Sequence, residues 1–160
     1  PTPADGFDAL LIRRLVEVNL LGATNTLAAT MPDMIRRKKG HLAIVASVAG
    51  YRGLPRAAAY SATKAGLIAL AEGLKFDLDR AGVKIQVINP GFVRTPLTDK
   101  NDFAMPFLMD VDDAVERIVR GLEGDAFEVV FPRRFAWMLK LLGLLPDRLY
   151  FRLVAKATGL

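Results

Sequence analysis

Three features of the sequence predict an α/β fold built on a buried parallel sheet. Residues 42–46 (Leu-Ala-Ile-Val-Ala) form an unbroken apolar run, the pattern of a strand covered on both faces. Two further strand patterns follow at residues 83–88 and 127–131, and each is reached through a stretch with apolar residues at helical spacing, long enough to cross over between parallel strands. With 160 residues and 52% hydrophobic content, the chain is one domain's worth of sequence with a real core.

The elements follow in order. Residues 1–6 are turn-rich. Asp8 is placed to cap a helix that reaches residue 27 or beyond, with Leu11, Leu15, Val18 and Leu21 or Gly22 on its apolar face. Asn19 falls on that face. A buried amide without a partner costs about 1–3 kcal/mol, so Asn19 is either tied to nearby backbone or kept for function. Pro32 is read as the start of a further turn ending at Gly40, ahead of the first strand. The next helix begins near Ala58, continues through Leu67, Leu70, Leu74 and Leu78, and stops at Gly82. Ala62, Ala65, Gly66, Ala69 and Ala71 give it a small-residue surface suited to close packing on the sheet, on a cofactor or on another subunit. In the second strand Lys84 and Gln86 alternate with Ile85 and Val87. Asn89-Pro90-Gly91 then turns the chain at the strand's C-terminal end, where open α/β sheets place ligands. Gly91, lacking a side chain, lets backbone approach a flat ring.

Residues 97–110, with Phe103, Met105, Phe107 and Met109, read either as an apolar cover over a hydrophobic substrate or as filling for a gap in the core. Asp112 and Asp113 open a helix that runs to Gly124. Residues 132–160 form an apolar helical extension, too short in its apolar runs to span a bilayer. Three roles suit this tail: a membrane-surface helix pair over residues 135–154, a subunit contact, or a cap on the substrate pocket.

Composition excludes several classes. There is no cysteine, hence no disulfide or thiolate metal site, and the one histidine, His41, sits at a turn before a strand and reads as structural. No metal site is expected. The net charge is +5, but the run Arg36-Arg37-Lys38-Lys39 closes a helix, where cations complement the dipole, and no aromatic residues interleave with it. Nucleic acid is therefore not an expected partner. With neither a leader nor a spanning stretch in these residues, a cytoplasmic protein is expected.

The chemistry concentrates between Ser47 and Lys64. Ser47 ends the first strand, Tyr60 lies thirteen positions on at a helix start, and Lys64 follows four residues later on the same helical face. A phenol ionises near pH ~10, and a nearby cation lowers that value, so Lys64 is the natural tuner of Tyr60 as a proton donor and acceptor. Ser47 can donate to a carbonyl oxygen. A hydride must come from a cofactor.

Ser47, Tyr60 and Lys64 at this spacing resemble the catalytic signature of the short-chain dehydrogenase/reductase family. Val18-Asn19-Leu20-Leu21-Gly22 is similar to its segment bearing the catalytic Asn, and residues 87–96 (Val-Ile-Asn-Pro-Gly-Phe-Val-Arg-Thr-Pro) to its Pro-Gly segment beside the nicotinamide. The resemblance covers residues 7–131. It implies a doubly wound, Rossmann-like sheet and NAD- or NADP-dependent interconversion of a small-molecule carbonyl and alcohol. Ser47 would polarise the carbonyl, Tyr60 act as acid or base, Lys64 hold the ribose hydroxyls, and Asn19 anchor a relay water. Pro90 and Gly91 would lie by the nicotinamide, the Val93 backbone would read its carboxamide, and Thr95 would reach a cofactor phosphate. The helices bearing Asn19 and Tyr60 would pair between subunits of a homo-oligomer. The family's Gly-rich phosphate turn, T-G-x-x-x-G-x-G, has no counterpart here. The chain thus reads as the C-terminal part of such a fold, inactive in isolation, with the choice between NAD and NADP made elsewhere. The competing reading is a non-catalytic assembly module without cofactor binding.

Overall fold

The computed structural model describes residues 4–96, 98–100 and 105–159. Branched apolar side chains build a parallel sheet of three strands in the order β1 (Gly40–Val45), β2 (Val83–Pro90) and β3 (Glu128–Phe131). Ile44 aligns with Val87, and Asn89 with Val130, so the ends of all three strands emerge on one side. Leucines from α2 (Gly22–Arg37) and α3 (Ala58–Arg80) cover one face, where Leu27, Leu67 and Leu78 meet Leu42, Ile44, Ile85 and Val87. On the other face α4 (Val111–Glu123) packs Ala114 against Ile88, Val129 and Phe131. This is the doubly wound α/β arrangement. After Pro132 come α5 (Arg133–Gly143) and α6 (Asp147–Thr158).

Asp8 caps α1 (Ala9–Leu15) by accepting from the Leu10 and Leu11 N–H groups. Residues Val16–Leu21 then wind as a π-helix before α2 begins, a local widening that sequence periodicity does not announce and that often marks functional positions. The inward stripe also differs from the one predicted: Val18 and Leu21 are exposed, while Asn19, Leu20, Ala23 and Leu27 face inward. Pro32 lies inside α2 rather than starting a new turn.

Two strand expectations need correction. β1 is not buried on both faces: Leu42 and Ile44 are covered but Val45 is half exposed, since only the face toward α2 and α3 carries a helix among the described residues. β2 does not alternate, because helices cover both its faces, and Gln86 is fully buried. Its amide donates to the carbonyls of Gly121, Gly124 and Ala126, and its oxygen meets His41 Nε2 at 2.7 Å. The histidine is thus a partner of a core glutamine.

In the segment between β2 and α4, Phe103 lies outside the described residues. Phe107 packs its ring 5.9 Å from that of Phe135 on α5, and Phe92 lies 5.7 Å from the same ring. Among the described residues no helix is long and apolar enough to cross a membrane, and no group of three His, Cys, Asp or Glu could hold a metal ion.

Candidate active site

Ser47 leaves the end of β1 with extended backbone and caps the short 3-10 turn Val48–Gly50 through its own hydroxyl, which accepts from the Ala49 N–H at 3.2 Å. The same hydroxyl donates to the Pro90 carbonyl at 3.3 Å, tying the end of β1 to the end of β2. Gly50 permits a close approach to α3. A side chain there would come within 2.7 Å of the Lys64 carbonyl carbon and 2.8 Å of the Ala65 nitrogen, so the turn lies directly on the helix backbone. That contact sets Ser47 on the same side as Tyr60, in the first turn of α3, near enough for the Ser47 hydroxyl to favour the ionised phenol.

Lys64 lies one turn further along α3. Its Nζ donates to the Val45 carbonyl at 3.0 Å and sits 5.7 Å from the centre of the Tyr60 ring. Burial pushes the Tyr60 phenol above its ordinary 10.0, opposed by the Ser47 hydroxyl, and burial lowers the Lys64 ammonium. Burial, rather than the Lys64 charge, sets the direction of the Tyr60 shift in this arrangement. The ammonium is directed to a main-chain oxygen and the ring face, and desolvation dominates the phenol.

Asn19 reaches the same helix. From the π-helical turn its Nδ2 donates to Thr63 Oγ1 at 3.1 Å, and that hydroxyl in turn donates to the Tyr60 carbonyl at 2.8 Å. Thr63 is 1% exposed and was not singled out by sequence reasoning, although its place between Tyr60 and Lys64 was a signal.

The Pro90-Gly91 turn joins this group through Ser47, but Gly91 is there for a different reason than expected. A Cβ at Gly91 would meet Pro132, Phe135 and the Phe131 carbonyl at 3.1–3.3 Å, so its bare side faces the root of α5, not open space. Val93 bridges to Met109. Met109 engages the Arg94 N–H and the Phe92 carbonyl, leaving the Val93 N–H without a backbone partner among the described residues. Thr95 closes a small turn with Thr98, whose hydroxyl also donates to the Val93 carbonyl. The hydrogen bonds of Val93 and Thr95 thus lie within their own loop, while Val93 also packs on the core cluster of Ile88, Ala114, Val129 and Phe131.

Sequence reasoning also missed a half-buried quartet behind the turn. Glu128 on β3 accepts from Asn89 at 2.7 Å and from Tyr51 and Lys140. Burial alone would raise the Glu128 carboxyl, but these three hydrogen bonds and the Lys140 charge hold it below 4.5; Tyr51 is pushed far up by burial and by Glu128. A cavity of about 260 Å³ is lined by Glu128, Val130, Arg133, Ala136, Trp137 and Lys140 and by neither Ser47 nor Tyr60.

Known proteins share this arrangement of elements. The family model of short chain dehydrogenases matches residues 2–105, the span that contains Asn19, Ser47, Tyr60, Lys64 and the Pro90-Gly91 turn. The chain belongs to the short-chain dehydrogenase family. It is 46% identical over 140 residues to an uncharacterised oxidoreductase of Myxococcus xanthus, covering 87% of this chain and 55% of that protein. A second uncharacterised oxidoreductase, from Staphylococcus epidermidis, is 34% identical over 108 residues, covering 68% of this chain and 47% of its own length. Among solved structures, a short chain dehydrogenase from Burkholderia cenocepacia in complex with NADP superimposes with a TM-score of 0.77 at 27% identity, covering 94% of this chain and 61% of that one. The chain spans about half the length of the curated relatives it matches.

Proposed function

We propose that this short-chain dehydrogenase chain carries the proton-transfer half of an NAD(P)-dependent oxidoreductase that interconverts a carbonyl and an alcohol. One observation carries the reading: the turn bearing Ser47 lies on the backbone of α3 at Lys64, at the C-terminal end of the sheet, with the Lys64 ammonium over the Tyr60 ring. The oxidoreductase relatives and the NADP-bound neighbour support it.

In this reading Ser47 donates a hydrogen bond to the substrate oxygen, and Tyr60 gives that oxygen its proton in reduction and takes it back in oxidation. The Pro90-Gly91 turn would lie beside a nicotinamide, which when bound would supply or accept the hydride. The Val93 N–H, without a backbone partner among the described residues, would fit a carboxamide oxygen, and Thr95 a phosphate. Lys64 can swing from the Val45 carbonyl to ribose hydroxyls, and its charge near an ionising phenol favours the phenolate, offsetting the burial that raises the pKa. Asn19, held through Thr63, anchors a water on the path from Lys64 to solvent. Small exposed residues on α3 (Ala62, Ala65 and Ala69) suit a helix contact between subunits.

Turnover by the longest form of the protein, followed as NADPH or NADH absorbance over a panel of ketones and aldehydes, tests the reading. Tyr60→Phe abolishes turnover while cofactor binding persists. Undiminished activity in that variant overturns the assignment, and absence of cofactor binding in the unaltered protein favours an assembly module instead.

A further inference from the structure

Residues 1–131 are electrically balanced, with sixteen Lys and Arg against sixteen Asp and Glu, so the whole formal charge of +5 resides in the tail beyond them. Asp147, the tail's one carboxylate, meets Arg52 of the body at 2.6 Å, and Lys140 is paired with Glu128. Arg134, Arg148, Arg152 and Lys156 form no salt bridge among the described residues.

The body grips the inner side of the α5–α6 hairpin. Tyr150 is buried and donates to the Gly53 carbonyl at 2.7 Å, while Arg52 donates to the carbonyls of Gly143 and Leu145 and lies 3.8 Å over the Tyr150 ring. The outer side is left apolar and basic. Trp137, Leu141 and Leu144 follow one another at i, i+4 and i+7 and are 63%, 61% and 82% exposed; Phe151, 64% exposed, sits between Arg148 and Arg152.

We infer that the outer side of the α5–α6 hairpin is a docking surface for an anionic lipid bilayer. The helices lie in the headgroup plane, Trp137, Leu141, Leu144 and Phe151 enter the acyl boundary, and the arginines meet lipid phosphates. Helices of 11 and 12 residues suit an interfacial position and are too short to span. Charge decides between a bilayer and a second copy of the chain: two such faces would bring like charges together, whereas an anionic surface neutralises them. The inference is independent of the chemistry assigned to Ser47 and Tyr60.

Trp137 is the chain's one tryptophan, so its emission reports on α5 alone. With the full chain, vesicles of phosphatidylcholine containing about one-third phosphatidylglycerol shift that emission to the blue and co-sediment the protein at least about tenfold more than phosphatidylcholine alone, and ~0.5 M salt reverses most of the binding. Arg148→Glu with Arg152→Glu, at exposed positions, lowers the partition by a similar factor; the lipid and salt arms need no variant. Equal partition into neutral vesicles, no blue shift, or a shift that grows with protein concentration in lipid-free buffer overturns the inference.

Discussion

Gly50 rests on the backbone of Lys64: a Cβ at the glycine would lie 2.7 Å from the lysine carbonyl carbon, and its other close neighbours are Ala65 N and Ile68 Cδ1. Through this contact the turn after β1 is laid against the first turns of α3, which brings Ser47 to the side of α3 that carries Tyr60. A main-chain neighbour cannot rotate away as a side chain can. Gly50→Ala should therefore cost about 1–3 kcal/mol and separate Ser47 from Tyr60, lowering kcat more than cofactor affinity. Gly53→Ala, where an added methyl meets nothing within 4 Å, is the matched control and should leave both unchanged. Thermal unfolding and turnover of the pair decide it.

Thr63 joins Asn19 to the Tyr60 backbone with one hydroxyl. Thr63→Val keeps the shape and removes both hydrogen bonds. It should destabilise by about 1–2 kcal/mol and reduce turnover, with the loss greater in kcat than in KM, because Asn19 is released while the cofactor contacts stay. An unchanged kcat would show that the Asn19 link is structural only.

The quartet around Glu128 gives a pH dependence with a definite sign. The carboxyl is held below its ordinary 4.5 in the folded chain, so the folded state binds fewer protons than the unfolded one in that range. Its contribution is present above about pH 4.5 and is lost as pH falls through the folded value. Denaturant midpoints measured from pH 7 down to pH 3 should therefore fall more steeply for the natural chain than for Glu128→Gln. Parallel curves would show that Glu128 is not coupled to folding.

Gln86 satisfies three carbonyls between α4 and β3 from the centre of β2. Gln86→Leu leaves those acceptors and His41 unpaired and should cost about 2–4 kcal/mol. His41→Ala, at an exposed position on the sheet's edge strand, should cost far less. Chemical denaturation of both variants checks the ranking.

The sequence by itself determined the strand–helix alternation, the cap at Asp8, the long α3 and the Ser47, Tyr60, Lys64 spacing, because each follows from local periodicity or from residues one helical turn apart. Tertiary structure alone decided the π-helical turn that aims Asn19 at Thr63, the burial of Gln86, the quartet on Glu128 and the use of Gly91 as a seat for Pro132 and Phe135. Those features join residues from 12 to 77 positions apart in different elements, and a polar side chain in a strand looks the same in sequence whether solvent or a second layer of helices will face it. The pKa of Tyr60 belongs to the same class: spacing placed a cation near the phenol, but burial, which only the packed chain has, outweighs it.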